Sequence, residues 1–151
     1  MKLVLFLFCF FSAHAFAGEQ FFSRNYIISC VGSAARTYYH NPDIMLAIAK
    51  TESKFNPYAR NYNRNGTVDI GLMQINTSWI PVLEQYGIKE KDLWNPCINA
   101  KVGAWILWNN KKKYGNTWNA VGAYNAHAID NRRKYVRLVW RNYSLIKGTK
   151  N

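Results

Sequence analysis

Hydrophobic residues recur through most of the chain at intervals of three and four, the spacing of one face of an α-helix. The predicted helices cover residues 21–38, 41–53, 81–86, 96–114 and 117–124, and a last helix starts at Asp130. Residues 60–70 break this pattern, because RNYNRNGTVDI is rich in turn formers and contains the hairpin signal Asn65 and Gly66. The pattern therefore predicts a mainly helical single domain with one small β-hairpin.

Residues of suitable chemistry mark the predicted helix ends. Asn41 can cap the second helix, and Gly115 can end the long fourth helix at residues 96–114. By the same reasoning Asn116 or Thr117 caps the short helix that follows, and Asp130 caps the last helix. These signals divide the chain into helices joined by short loops.

One acid lies on an apolar helix face. Glu52 follows Met45, Ile48 and Ala49 by seven, four and three residues, so it extends their stripe near the C-terminal end of the helix. Burial and the helix dipole both disfavour a carboxylate there, so we expect the pKa of Glu52 to be raised. A surface glutamate on a frayed last turn also fits this position. Position alone leaves both interpretations open.

A second acid, Asp69, leaves the hairpin immediately before the apolar run IGLMQI. A glutamate and an aspartate that face each other across a cleft can cleave a glycosidic bond. One carboxyl donates a proton to the leaving oxygen, while the other stays ionised to stabilise or attack the anomeric carbon. The alternative is a turn residue that accepts hydrogen bonds from backbone N–H groups. Spacing alone favours neither interpretation.

The N-terminal 17 residues have the pattern of a signal peptide: one Lys, an apolar run from Leu3 to Phe11, and small residues before the cleavage point. The expected domain is therefore residues 18–151, exported to the periplasm or secreted. A bilayer-spanning helix needs about 20 apolar residues, and no segment reaches that length. We therefore expect no stable membrane anchor.

Three cysteines occur in the sequence, and Cys9 would leave with the signal peptide. Cys30 and Cys97 would then be exposed to an oxidising compartment, where we expect them to form a disulfide. Two buried free thiols are the alternative.

The chain is strongly basic, with 20 Lys and Arg against 8 Asp and Glu and a formal net charge of +12. The basic residues concentrate after residue 131, where no acid occurs. Such charge favours an anionic partner, which could be a cell-wall polymer, a membrane surface or a nucleic acid, and export argues against the last. A solvated helix face with a basic tail explains the charge equally well.

Three segments, AIAKTESKFN, GTVDIGLMQINTSW and AVGAYNAH, occur in that order. Together they resemble the soluble lytic transglycosylase family of the lysozyme superfamily. Glu52 and Ser53 match its catalytic Glu-Ser pair, GLMQIN at residues 71–76 matches its second motif, and AYN at residues 123–125 matches its third. The chain is most similar to small single-domain members that accompany bacterial secretion systems, conjugation machines and type IV pili. The resemblance implies a lysozyme-like (α+β) domain, mainly α, with the β-hairpin beside the active-site cleft.

The resemblance also implies a reaction on peptidoglycan glycan strands. Glu52 would protonate the oxygen of the MurNAc-β-1,4-GlcNAc bond. It would then accept the proton of the muramic C6 hydroxyl, which attacks the anomeric carbon of its own sugar. The product is a 1,6-anhydroMurNAc end, formed without water, cofactor or metal.

The matched motifs imply further substrate contacts. Ser53 would bind the substrate or orient Glu52, and Met73 and Gln74 would contact the sugars or the N-acetyl group. Tyr124 and Asn125 would line the cleft and position the substrate.

The chain departs from the family pattern at two positions. His127 stands where the third motif usually has glycine, and it could narrow the subsite, donate to the substrate or face solvent. Asp69 lies in GTVDIG, which resembles the lysozyme segment that carries a second carboxylate. A lysozyme-like muramidase that hydrolyses the same bond with Glu52 and Asp69 is therefore an alternative.

The resemblance further implies a monomer that opens the wall locally for an envelope-spanning machine and has a protein partner there. A wall-binding assembly factor without catalytic activity is the rival from another class. A cationic lytic or nucleic-acid-binding protein is a third alternative, which rests on charge alone.

Overall fold

Helices form most of the computed structural model, which describes residues 21–126 and 128–149. The α-helices of this part of the chain are α1 Arg24–Thr37, α2 Pro42–Ser53, α3 Ile80–Leu83, α4 Pro96–Tyr114, α5 Trp118–Gly122 and α6 Ile129–Gly148. The strands are β1 Arg60–Tyr62, β2 Val68–Ile70 and β3 Ile75–Asn76, and short 3-10 helices cover Thr77–Trp79, Glu84–Tyr86 and Glu90–Trp94. The predicted mainly helical architecture is confirmed. The predicted signal peptide lies outside the described residues.

Helix ends follow local side-chain chemistry at most positions. The Asn41 side chain accepts a hydrogen bond from the backbone N–H of Asp43, and Pro42 is the first residue of α2. Asn95 accepts from the N–H groups of Cys97 and Ile98 at the start of α4. These caps satisfy N–H groups that have no partner within the helix, which explains why α2 and α4 begin where predicted.

Several predicted boundaries are wrong. Helix α1 begins at Arg24 and not at residue 21, and the predicted helix 81–86 is α-helical only as far as Leu83. Asp130 does not cap α6, because the helix starts at Ile129 and the cap position is Ala128, which provides no side-chain hydrogen bond. Asp130 instead lies in the first turn, where its carboxylate contacts Arg133 at 3.4 Å. The short helix α5 ends at Gly122, two residues before the predicted end.

The β-region is a three-stranded antiparallel sheet in the order β1-β2-β3, rather than a two-stranded hairpin. In the central strand Asp69 lies opposite Asn61 of β1 and opposite Asn76 of β3. The third strand has only two residues and follows a tight turn, so its sequence carries no alternation of polar and apolar positions. The extra strand places Asp69 between two asparagines.

The core lies between the helices, with α2 against α6 and α1 against α4. Met45 and Ile48 of α2 and Val139 of α6 are fully buried. Cys30 of α1 and Cys97 in the first turn of α4 form a disulfide across 67 residues of sequence. In the chain-entropy model a loop of this length stabilises the fold by about 4 kcal/mol. Among the described helices, none is both long and apolar enough to cross a bilayer.

Candidate active site

A cavity of about 1040 Å³ separates the sheet from the helices. Five predicted site residues line it, namely Glu52, Asp69, Gln74, Tyr124 and Asn125. The remaining lining residues are mostly polar: Asn61, Asn63, Arg64, Asn65, Thr67, Asn76, Ser78, Trp79, Ile106, Asn110, Lys113, Tyr114, Ala123 and Ala126. The cavity thus brings two carboxylates from distant segments into one polar cleft that could bind a sugar chain.

Glu52 lies in the last turn of α2 and is partly buried. Burial raises its pKa to about 7, and the nearby charge of Asp69 adds to this increase. A hydrogen bond from Tyr135 acts in the opposite direction. Protonated and ionised forms of Glu52 therefore coexist near neutral pH, as proton donation followed by proton acceptance requires.

Tyr135 is one residue of the site that the sequence did not reveal. It comes from α6, is 5% exposed, and its hydroxyl donates a hydrogen bond to Oε1 of Glu52. Burial, together with the charge of Glu52, raises the pKa of Tyr135 well above its ordinary value, so the hydroxyl keeps its proton. In the sequence Tyr135 is one of several apolar residues on the inner face of α6. No local pattern separates it from a residue that only packs in the core.

Asp69 accepts hydrogen bonds from three side-chain amides. Oδ1 accepts from Asn76 at 2.7 Å, and Oδ2 accepts from Asn63 at 3.0 Å and from Asn61 at 3.2 Å. These donors come from the two neighbouring strands and the turn after β1. The interpretation of Asp69 as a turn residue predicts backbone N–H donors instead. A carboxylate is an acceptor only, and three donors suit it. Asp69 is held in a fixed position in the cleft wall.

The turn between β2 and β3 is fixed to α4 by Asn99, a fully buried polar residue. Its Nδ2 donates to the carbonyls of Ile70 at 2.9 Å and Leu93 at 2.8 Å, and its Oδ1 accepts from the N–H of Met73 at 2.7 Å. Sequence reasoning missed Asn99, although a polar residue beside the apolar positions of a helix was a usable signal.

Gly71 begins this turn with φ 77°, a conformation that L side chains rarely adopt. A Cβ atom on Gly71 would lie 2.5 Å from Nδ2 of Asn99 and 2.7 Å from the carbonyl oxygen of Leu93. Glycine is therefore required both by the backbone conformation and by the close approach of the Asn99 side chain and the Leu93 carbonyl.

Ser53 and Met73 connect the three motifs and do not line the cleft. The Ser53 hydroxyl donates to the carbonyl of Leu72 at 2.7 Å. The Tyr124 hydroxyl donates to the carbonyl of Met73 at 2.9 Å. Met73 is fully buried, so the direct sugar contact predicted for its side chain does not fit its position. These bonds join the end of α2, the β2–β3 turn and the segment after α5.

The other predicted contacts face the cavity. Gln74 has φ 49°, and its Nε2 donates to the carbonyls of Gly71 at 2.9 Å and Ala59 at 3.2 Å. Burial raises the pKa of Tyr124 well above its ordinary value, with further contributions from Glu52 and Asp69. Asn125 is exposed at the rim. His127, the departure from the third motif, lies outside the described residues.

Comparison with known proteins identifies a matching family and similar proteins. Residues 29–143 match the family described as the Transglycosylase SLT domain. Invasion protein IagB of Salmonella typhimurium (strain SL1344) is 42% identical over 124 residues, which cover 79% of this chain and 78% of that protein. A peptidoglycan-binding-like protein of Escherichia coli O157:H7 is 36% identical over 124 residues, which cover 76% of this chain and 74% of that protein.

The fold is similar to a solved structure of an inactive mutant of lytic transglycosylase Slt from Pseudomonas aeruginosa, with a TM-score of 0.65 and 23% identity. The match covers 81% of this chain and 24% of that chain, so this chain spans about a quarter of the length of that enzyme. The likeness confirms the predicted lysozyme-like fold.

Proposed function

We propose a specific reaction for this chain, which belongs to the transglycosylase SLT domain family. It cleaves the bond between N-acetylmuramic acid and N-acetylglucosamine in peptidoglycan and leaves 1,6-anhydro ends. The observation that carries the proposal is the partly buried Glu52 in a polar cleft, with its pKa raised to about 7. A single residue with this pKa can serve first as acid and then as base.

The reaction needs only Glu52 and the substrate for its proton transfers. The protonated carboxyl of Glu52 donates to the glycosidic oxygen, the bond to the anomeric carbon breaks, and the departing sugar keeps the proton as a hydroxyl. The resulting carboxylate then accepts the proton of the muramic C6 hydroxyl while that oxygen bonds to the anomeric carbon. Glu52 ends in its starting state, and no water is consumed.

Asp69 supports this reaction electrostatically. Positive charge develops at the anomeric carbon as the bond breaks, and a fixed carboxylate in the same cleft stabilises it. The three hydrogen bonds from side-chain amides that hold Asp69 also support the alternative. In that reaction the enzyme is a muramidase, and water attacks the anomeric carbon instead. Gln74, Tyr124 and Asn125 would contact the sugars along the cleft.

The product decides between these two reactions. Mature protein and its Glu52→Gln variant would be incubated with purified peptidoglycan, and the released fragments analysed by mass spectrometry. Anhydro ends from the wild type alone support the proposal, whereas reducing ends identify a hydrolase. Activity of Glu52→Gln equal to the wild type would contradict the role of Glu52 in both.

In the cell, we propose export to the periplasm and local opening of the wall for an envelope-spanning secretion, conjugation or pilus machine. The likeness to an invasion protein supports a role of this kind. A deletion strain would be complemented with wild type or Glu52→Gln, and assembly of the machine measured. Complementation by the wild type alone is expected, while full complementation by Glu52→Gln would favour a wall-binding assembly factor without catalysis.

A further inference from the structure

A second groove, of about 450 Å³, lies between α2, α6 and the start of α1. Four basic side chains line it: Arg24, Lys50, Lys54 and Arg141. None of the described residues that line this basic groove is acidic. Like charges gathered in one concavity repel each other, which destabilises the fold unless an anion binds there. The proposed reaction on glycan gives this groove no role.

The four basic residues come from different elements around the rim. Arg24 is the first residue of α1, Lys50 and Lys54 lie one turn apart at the end of α2, and Arg141 is in α6. None of the four forms an ion pair with another described residue. The Arg24 guanidinium lies 5.2 Å from the centroid of the Phe55 ring, so an aromatic face and not a carboxylate supports it. The groove therefore offers several separate positive charges.

The basic groove and the cleft lie on opposite faces of α2. Successive helical residues are about 100° apart, which turns Glu52 about 200° from Lys50. On the groove side, Nδ2 of Asn142 donates a hydrogen bond to Oγ1 of Thr51 at 2.9 Å, which links α6 to α2. The two cavities share no lining residue. An occupant of the groove would leave the cleft open to glycan.

We propose that the basic groove docks an acidic peptide segment of a partner protein, one that also carries apolar side chains. Separate charges on three helices match carboxylates spaced along a peptide better than the single compact charge of a phosphate. Phe55 and Leu138 supply apolar surface, and Leu138 is 54% exposed. An uncharged sugar chain would leave both the charges and this apolar surface without complementary groups.

A binding experiment tests this proposal independently of catalysis. The probe is a fluorescently labelled hexapeptide of alternating glutamate and leucine, titrated with mature protein and followed by anisotropy. Saturable binding is expected, and the double variant Arg24→Glu/Arg141→Glu should weaken it at least tenfold, or roughly 1.4 kcal/mol. Both side chains are exposed, and the thermal unfolding midpoint of the variant checks that it folds.

Matched controls separate the groove from general charge. Lys91→Glu/Lys101→Glu reverses two exposed charges outside the groove and should bind the peptide as the wild type does. Glu52→Gln should also bind normally, so a failure of the proposed reaction leaves this test intact. A peptide with glutamine in place of glutamate should not bind.

Equal weakening by both double variants, or no binding of the glutamate–leucine peptide to the wild type, would overturn the proposal. Displacement of the peptide by phosphate or by phosphatidylglycerol vesicles at the same residues would assign the groove to phosphate groups instead.

Discussion

The Tyr135 hydroxyl of α6 donates a hydrogen bond to the carboxyl of Glu52 in α2, and this bond links residues 83 positions apart in the sequence. It joins two helices that pack against each other, and it holds the Glu52 carboxyl that lines the cleft. The bond orients the Glu52 carboxyl and lowers its pKa, while burial raises that pKa more strongly. The position and the proton affinity of the acid therefore depend on a residue from the last helix.

Tyr135→Phe should lower activity and change its pH dependence. The variant loses the hydrogen bond that lowers the pKa of Glu52, so this pKa should rise above about 7. Since the reaction begins with protonated Glu52, the fall of activity on the alkaline side should move to higher pH. Loss of orientation should reduce kcat about tenfold or more. Steady-state rates on purified glycan strands between pH 5 and 9 measure both effects.

Tyr143→Phe is the matched control for this variant, because Tyr143 lies on the same helix and contacts Trp118 and Trp140 rather than Glu52. It should leave the pH profile unchanged. An unshifted profile in Tyr135→Phe would show that the hydroxyl does not control the proton affinity of Glu52.

Glu52→Gln should stabilise the protein more at pH 8 than at pH 5. The pKa of Glu52 is about 7 in the folded protein against an ordinary value of 4.5, so the folded state binds more protons. The stability due to this carboxyl is fully present below pH 4.5 and decreases as pH rises through 7. Between pH 5 and 8 the difference in unfolding free energy between variant and wild type should grow by roughly 2 to 3 kcal/mol.

Urea denaturation of both proteins at the two pH values measures this difference. Other titrating groups, such as the buried His40, contribute equally to both proteins and cancel. A difference that does not change with pH would mean that Glu52 has an ordinary pKa.

Gly71→Ala should destabilise the fold and the cleft far more than Gly66→Ala. Both glycines have positive φ, 77° and 81°, so each substitution carries a backbone cost of about 1 kcal/mol. A Cβ at Gly66 meets open space, whereas one at Gly71 collides with Asn99 and the backbone of Leu93. Displacement of this turn would also move Gln74 and the Tyr124 contact.

Thermal unfolding and activity of the two variants provide the comparison. Gly66→Ala should lower the unfolding midpoint slightly and retain activity. Gly71→Ala should lower the midpoint strongly and lose activity. Equal behaviour of the two variants would show that Asn99 and the Leu93 backbone adjust and that the close approach is not required.

The parts of the site that the sequence predicts are those encoded within one local segment. The offsets of Glu52 from Met45 and Ile48 put it on an apolar helix face, and in the structure it lies partly buried at the end of the stripe that these two core residues form. Asp69 is marked by the hairpin that precedes it. Both signals arise within one helix or one turn, where the spacing of residues along the chain determines the direction in which their side chains point.

The parts that the sequence does not predict depend on contacts between distant segments. Tyr135 becomes a partner of Glu52 only when α6 packs on α2. Asn99 hydrogen-bonds the β2–β3 turn only when α4 packs against that turn. A tyrosine or an asparagine on a helix has the same local pattern in either role. Strand β3 was missed for the related reason that two residues are too few to show a period.

Asp69→Asn should lower activity and shift the pH profile in the direction opposite to Tyr135→Phe. The charge of Asp69 raises the pKa of Glu52, so its removal should lower that pKa and move the alkaline fall to lower pH. The new side chain keeps one acceptor oxygen and carries an NH2 group in place of the other, so either Asn76 or the pair Asn61 and Asn63 loses its acceptor. Loss of the anion should reduce kcat about a hundredfold, since positive charge at the anomeric carbon is then less stabilised.

Product analysis gives this variant its second readout. If Asp69 assists the anhydro route, the residual product of Asp69→Asn keeps its 1,6-anhydro ends. If the enzyme is a hydrolase, the wild type should release reducing ends, and Asp69→Asn should not. Asp130→Asn removes an exposed carboxylate at the start of α6 and is the control, with unchanged rate and profile. Full activity of Asp69→Asn with an unshifted profile would remove Asp69 from the mechanism, because the carboxylate would then act neither on Glu52 nor on the substrate.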